Sequence, residues 1–168
     1  MKVTKVLKDK GDFYQIYFDN KQKIRVSEDL LVRFRLLKDS EIDEETFQEL
    51  KKSAGYDVGL QLSMNYISYQ LRTEQEVRTY LKDREITNQD IHKIIIRLKE
   101  LQLVDDLNYG KSYIRTQLRL SDKGPTALKQ QLFKKGLKAD IIEEVLNLYT
   151  EEDQFNIAYK TATKGLKT

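Results

Sequence analysis

With 168 residues, 39% of them apolar, the chain can build one ordinary domain or two or three very small ones. Thirty Lys and Arg against 27 Asp and Glu leave a net charge of only +3, which by itself announces no nucleic-acid partner. The absence of cysteine excludes disulfides, thiolate catalysis and thiolate metal sites and fits a reducing compartment. No run of about 18 apolar residues exists to span a membrane, and the start MKVTKVLKDKGDF lacks the apolar core of a signal peptide, so a cytoplasmic protein is expected.

The first stretch, VTKVLKD then FYQIYFDNKQKIRV, alternates β-branched and aromatic residues around turn letters at Lys10-Gly11-Asp12 and Asp19-Asn20. Two or three short strands are predicted there. Ser27 then caps a helix carrying Leu30, Leu31 and Phe34. A second helix follows at EETFQELKKSAG, with Asp43 as cap, Ile42 and Phe47 as a hydrophobic staple and Gly55 as its stop.

From Asp57 onward the pattern is helical throughout. Thr73-Glu74-Gln75-Glu76 reads as a capping box ahead of Val77, Tyr80 and Leu81. Thr87 caps the next helix, whose apolar face is Ile91, Ile94, Ile95 and Leu98. Val104-Asp105-Asp106 breaks and restarts the chain. Gly124-Pro125 opens a helix with Leu128 and Leu132 on one face, and Gly136 stops it. Ile141, Ile142, Val145, Leu146 and Tyr149 make the last apolar face.

YISYQLR at 66–72 is nearly repeated as YIRTQLR at 113–119, an offset of 113 − 66 = 47. Beyond extra letters around LSDKGP, the pairs Val77/Leu128, Leu81/Leu132, Ile86/Leu137 and Ile94/Val145 align at 51. A duplicated three-helix unit explains this, each copy gaining stability by packing on its neighbour. VDDLNYGKSY (104–113) also matches TEEDQFNIAY (150–159) at an offset of 46, which reads as the start of a third, incomplete copy.

The string LVDDLNYGKSYIRTQLRLSDKGPTALKQQLFKKGL (103–137) resembles the signature of the RecX family, bacterial modulators of the RecA recombinase. YISYQLRTEQEVRTYLKDREI (66–86) resembles that family's first repeat, and FYQIYFDNKQKIRVSEDLLVRF the N-terminal segment of its longer, Gram-positive-type members. The resemblance implies a mainly α fold of tandem three-helix repeats in a right-handed helical array, after a small strand-plus-helix segment. The expected divisions are 1–55, 57–104, 105–149 and 150–168. It also implies no enzyme chemistry and no cofactor, and a monomer that binds the RecA filament on single-stranded DNA and alters its ATPase and strand exchange, most often by inhibition. Family members usually carry three repeats, so this sequence reads as a C-terminally truncated member.

Independently of the resemblance, charge is strongly segregated. Lys111, Arg115, Arg119, Lys123, Lys129, Lys134, Lys135 and Lys138 lie within 28 residues against one acid, Asp122; that is 8 − 1 = +7, leaving 3 − 7 = −4 for the rest. Lys111, Arg115 and Arg119 recur every four residues, one face of a helix whose other face carries Tyr113 and Leu120. Such a stripe fits phosphates, single- or double-stranded, or an acidic protein groove, with an ordinary solvated face as the plain alternative. The same choice applies to Arg72, which shares its place in the heptapeptide with Arg119; a shared contact between helices would explain both.

In the first copy, Arg78, Lys82 and Arg84 interleave with Glu74, Glu76, Asp83 and Glu85, which predicts local pairing. Tyr66, Tyr69, Tyr80, Tyr109, Tyr113 and Tyr149 fall on apolar helical positions and are expected to pack in cores. His92, the one histidine, reads as a surface residue, and Asp105-Asp106 as capping acids rather than a metal or general-base pair. No GxxxxGK[ST] loop is present. The competing function is a nucleic-acid-binding helical module with no recombinase partner, although no unit shows Arg, Asn and Gln at base-reading spacing clear of its apolar face.

Overall fold

The computed structural model describes residues 1–147 of the chain. The elements run β1 (Val3–Lys8), β2 (Phe13–Phe18), β3 (Lys23–Ser27), α1 (Glu28–Arg33), α2 (Glu44–Tyr69), α3 (Glu74–Asp83), α4 (Asn88–Glu100), α5 (Asp106–Leu120), α6 (Pro125–Lys134) and α7 (Ala139–Leu146). They divide into two compact units, one of residues 1–69 and 80–97, the other of 70–79 and from 98 onward. Tyr149 and the expected third copy lie outside the described residues.

In the first unit, the three strands form one antiparallel sheet in sequence order. Its core joins Val3, Ile16, Phe18, Val26 and Leu30 to Phe47, Leu50 and Ala54 of α2. Phe18 and Phe47 meet edge to face, with ring centroids 5.1 Å apart. Ser27 ends β3 and caps α1, its hydroxyl accepting the Leu30 N–H at 3.2 Å and donating to the Asp57 carboxylate.

Gly55 does not stop a helix. Asp43 caps α2 as expected, its Oδ1 accepting the Thr46 N–H at 2.7 Å, but the helix runs 26 residues, straight through Gly55. The reason is tertiary. A Cβ on Gly55 would stand 2.5 Å from Asp90 Oδ2, so the missing side chain makes room for α4 rather than a turn. One long helix thereby meets both the sheet and α4. Phe47, Leu50 and Ala54 face the sheet, while Gly59 further along lies against Ile94 of α4 and Ile86.

The second unit holds a core of Ile114, Leu128, Leu132, Leu137, Ile142 and Val145, with Tyr109, Tyr113 and Leu118 half-buried against it. Asp105 caps α5 by accepting the Asn108 N–H, and Pro125 occupies the first turn of α6. Gly136, at φ +90°, ends α6 as expected. Glu85, at φ +63°, takes the same place after α3, and the closing bonds correspond: Ile86 N–H to Leu81 O and Leu137 N–H to Leu132 O.

Packing also corrects the repeat register. A Cβ on Gly59 would press on Ile94 and Ile86, and one on Gly110 on Val145 and Leu137; all three pairs lie 51 apart. The starts of α3 and α6 and of α4 and α7 differ by 51 as well, and the two intervening loops are equally long, so no extra letters exist. The heptapeptide match at 47 is therefore one helical turn out of register. Four residues advance a helix by only about 40° beyond a full turn, so a one-turn slip keeps the same face and reads alike. The two tyrosines, one turn apart in this register, still meet corresponding partners. Tyr66 stacks on Tyr80 at 4.0 Å, and the Tyr113 hydroxyl donates to Gln131 Oε1 at 2.5 Å, with 131 − 80 = 51.

Candidate functional site

Within the second unit, α5 carries Lys111, Arg115 and Arg119 along one side. Gly110 and Ile114 bury the other, leaving Arg115 and Arg119 exposed and Lys111 half-buried. Lys123 is exposed in the loop that follows, Lys129 and Lys134 on α6, and Lys135 and Lys138 around the turn to α7. Among the described residues, Lys111, Arg115, Arg119, Lys129, Lys134 and Lys135 join no side-chain ion pair. Their charge is thus open to a partner rather than consumed internally.

Arg72 stands apart from this set. It is half-buried in the loop before α3, whereas Arg119 is exposed within α5, so the shared letter does not mark a shared environment. Its charge also reaches Tyr109. Burial pushes the Tyr109 hydroxyl up to about 12, Glu76 and Tyr113 add to the rise, and Arg72 opposes it. Beside the stripe, Tyr109, Ser112, Tyr113, Thr116 and Gln117 line a hollow of about 290 Å³ together with Leu71.

Two apolar expectations are corrected here. Leu120 is 73% exposed and Tyr69 is 85% exposed, because each is the last residue of the first helix of its repeat, beyond the reach of the helices it should pack on. Tyr66, Tyr80, Tyr109 and Tyr113 are half-buried and none lies in a sealed core. In the first copy, Arg78 pairs with Glu74 at 3.0 Å as predicted, but Arg84 lies over the Tyr80 ring at 3.4 Å. His92 is exposed.

The sequence missed a polar joint around the N-terminus of α3. Thr73 and Glu76 form the reciprocal capping box, each side chain accepting the other's backbone N–H at 3.1 Å, and the Thr73 hydroxyl donates onward to Lys135 O at 2.8 Å. Asp106 Oδ1 accepts the Glu74 N–H at 2.8 Å, while the Glu74 carboxylate holds Lys99 at 2.5 Å and Arg78. Gly136 comes so close to Gln75 that a Cβ there would lie 2.7 Å from its Cγ. The capping box and the Glu74–Arg78 pair were visible locally, whereas Lys99, Asp106, Lys135 and Gly136 lie 25 to 62 residues from their partners (99 − 74 = 25; 135 − 73 = 62).

The two acids of this joint are tuned in opposite directions. Burial raises the Asp106 carboxyl, Glu74 and Asp105 add to the rise, and the Glu74 N–H and Lys99 only partly offset it. Burial also raises Glu74, but hydrogen bonds from Lys99 and Arg78 outweigh it and hold that carboxyl below the ordinary range. A raised group contributes stability below the ordinary carboxylate range and loses it as pH climbs through its folded pKa. A depressed group contributes above that range and loses it as pH falls. Asp106→Asn should therefore gain stability relative to the parent as pH rises from about 3 to 7, and Glu74→Gln should lose it. Thermal melts across that range check both, and parallel curves for parent and variants would refute the assignment.

Known proteins resemble both the sequence and this arrangement. The family models described as RecX first and second three-helix domains match residues 60–98 and 105–146. The regulatory protein RecX of Enterococcus faecalis is 49% identical over 165 residues, covering 98% of this chain and 62% of that protein. That of Levilactobacillus brevis is 40% identical over 154 residues, covering 92% and 58%. The chain thus spans about three-fifths of the length of these curated relatives. A crystal structure of regulatory protein RecX superposes with a TM-score of 0.71 at 33% identity, covering 97% of this chain and 81% of that one. The crystal structure of RecX from Lactobacillus salivarius gives 0.65 at 40% identity, covering 67% and 73%.

Proposed function

We propose a function from one premise: the chain belongs to the RecX family. The reading is a non-catalytic regulator that binds the RecA recombinase filament on single-stranded DNA and lowers its ATPase and strand-exchange activity. One observation carries it. The second repeat, which we place at 105–149 after a first at 57–104, presents Lys111, Arg115, Arg119, Lys129, Lys134 and Lys135, none of which joins a side-chain ion pair among the described residues. A protein–DNA filament supplies both acidic protein surface and phosphates for such a set. We assign contact to Lys111, Arg115, Arg119, Lys123, Lys129, Lys134, Lys135 and Arg72.

A regulator of this kind changes ATP hydrolysis only by favouring one filament conformation, which demands a difference in affinity between conformations. Two small units on one chain add weak contacts through effective concentration. Steady-state hydrolysis by RecA on single-stranded DNA, titrated with this chain, tests the reading. The expected result is a falling rate, with no hydrolysis by the chain alone. A rate that stays constant through saturation removes the proposal. An oligonucleotide bound as tightly without RecA as with it points instead to a nucleic-acid module.

A further inference from the structure

We propose that the groove between α6 and α7 is a docking site for an acidic peptide segment of a partner protein that inserts one apolar side chain. The proposal rests on the reading of this chain as a protein-binding regulator, and it names the chemistry of the segment bound.

The groove measures about 500 Å³ and is lined by Lys129, Gln130, Phe133, Lys134, Ala139 and Ile142, among others. That is room for one or two side chains. Phe133 is 70% exposed although Leu132 beside it is fully buried, because one step along a helix turns about 100° away from the core stripe. The ring shares one lining with Ala139 and Ile142, and a contiguous apolar patch rimmed by polar residues, unlike a lone exposed ring, marks a binding surface. Lys129 and Lys134 stand in the same lining, Lys135 and Lys138 are exposed nearby, and no acid lines the groove among the described residues. The acids that follow on α7, Asp140, Glu143 and Glu144, lie outside it.

The occupant must therefore be negative at its edges and apolar at its centre. A peptide of Asp and Glu around one large apolar residue meets both demands, in the manner of a helix laid into a groove. Phosphate backbones suit this place less well. The arginines, whose planar forks grip phosphate in two places, are on α5, whereas the cations that line the groove among the described residues are the lysines Lys129 and Lys134. A nucleotide chain would also leave the Ala139 and Ile142 floor without a matching surface.

The test uses the full chain at low salt, with three fluorescein-labelled probes read by anisotropy: a short peptide of Asp and Glu around a single Phe, the same peptide with Ser for Phe, and oligothymidylate of equal charge. The Phe peptide should bind. Exchanging its Phe, or introducing Phe133→Ser in the protein, should each weaken binding by about tenfold, and the two together by little more, since they remove one contact. Lys129→Glu with Lys134→Glu should remove binding. Oligothymidylate should be indifferent to Phe133→Ser, and circular dichroism should show the variant folded, since the ring is exposed. Oligothymidylate binding that falls with Phe133→Ser would overturn the proposal in favour of nucleic acid. A parent dimer in sedimentation that Phe133→Ser dissolves would overturn it in favour of a second copy. Peptide binding unmoved by both exchanges would leave the groove without a docking role. RecA hydrolysis measured in parallel separates the two levels: a parent that slows RecA but ignores the peptide defeats this inference alone, and a parent that binds the peptide but leaves RecA unchanged defeats the regulator reading alone.

Discussion

Gly110→Leu should cost about 3 kcal/mol of unfolding free energy, and Gly110→Ala distinctly less. The Cβ of either would stand 2.7 Å from Val145 Cγ2 and 3.2 Å from Leu137 Cδ2. Val145 and Leu137 are themselves buried to within 2%, so they have little space into which to retreat. Valine is stiff at χ1, which makes its methyl a poor candidate for rotation out of the way. Alanine recovers about 1 kcal/mol of helix propensity over glycine, which offsets part of its clash. Leucine recovers a similar amount but adds three more carbons to the same space. Gly59→Ala should be milder than Gly110→Ala, because the atom it meets is the terminal Cδ1 of Ile94, which can rotate. Gly124→Ala is the control: nothing lies within 4 Å of its Cβ and its φ is −80°, so a change within about 0.5 kcal/mol is expected. Urea denaturation of the four variants measures the order. A Gly110→Leu midpoint equal to the parent's would mean that α5 does not approach α7 this closely.

These glycines also show where sequence reasoning reaches its limit. Caps were legible because each is decided within about four residues: Ser27, Asp43, Thr73 with Glu76, Thr87 and Asp105 all cap as their local letters predict. Gly55 was misread because a glycine ends a helix only where the chain needs a left-handed residue. Gly136 meets that condition at φ +90°, whereas Gly55 answers to Asp90, 35 residues downstream (90 − 55 = 35). The register was misread for a related reason. Letter identity favoured the heptapeptide at 47, yet the glycine, isoleucine and leucine positions that touch align at 51, and helical periodicity cannot separate two registers one turn apart. Gly59 and Gly110 were the available signal, since a glycine recurring inside two helices at the offset of their partners implies a repeated close approach.

For the candidate surface, composition located the cations but not what stands among them. Lys129 and Lys134 were counted from the sequence, whereas Phe133 lay unnoticed between them as a residue off the Leu128 and Leu132 stripe. Its exposure depends on how α6 meets α7, which no local window contains. The polar joint at Thr73 was half visible for the same reason: the box is local, and its links to Lys135 and Asp106 are not.

On the proposed reading of the chain as a RecA regulator, replacing Lys111, Arg115 and Arg119 together by Glu should weaken its effect on RecA by on the order of a hundredfold, if each contact contributes roughly 1 kcal/mol. The fold should hardly notice. Arg115 and Arg119 are exposed and join no ion pair among the described residues, so their exchange should stay within about 0.5 kcal/mol each. Lys111 is half-buried, and its stem can cover apolar surface, so any loss of melting temperature should trace to that position alone. A Lys111→Gln, Arg115→Gln, Arg119→Gln variant separates charge from repulsion: it should fall between the parent and the Glu triple. Salt gives the second readout. Three contacts to single-strand phosphates contribute about −2 to the slope of log K against log salt, from roughly −0.7 per contact, and the Gln triple should lose that contribution while the remaining cations keep theirs. Contact with acidic protein side chains releases no condensed counterion layer, so it predicts a shallower dependence with the same loss of affinity. The slope thus tells which half of a protein–DNA filament the stripe touches. A Glu triple that slows RecA hydrolysis at the parent's concentration would return these three residues to an ordinary solvated face.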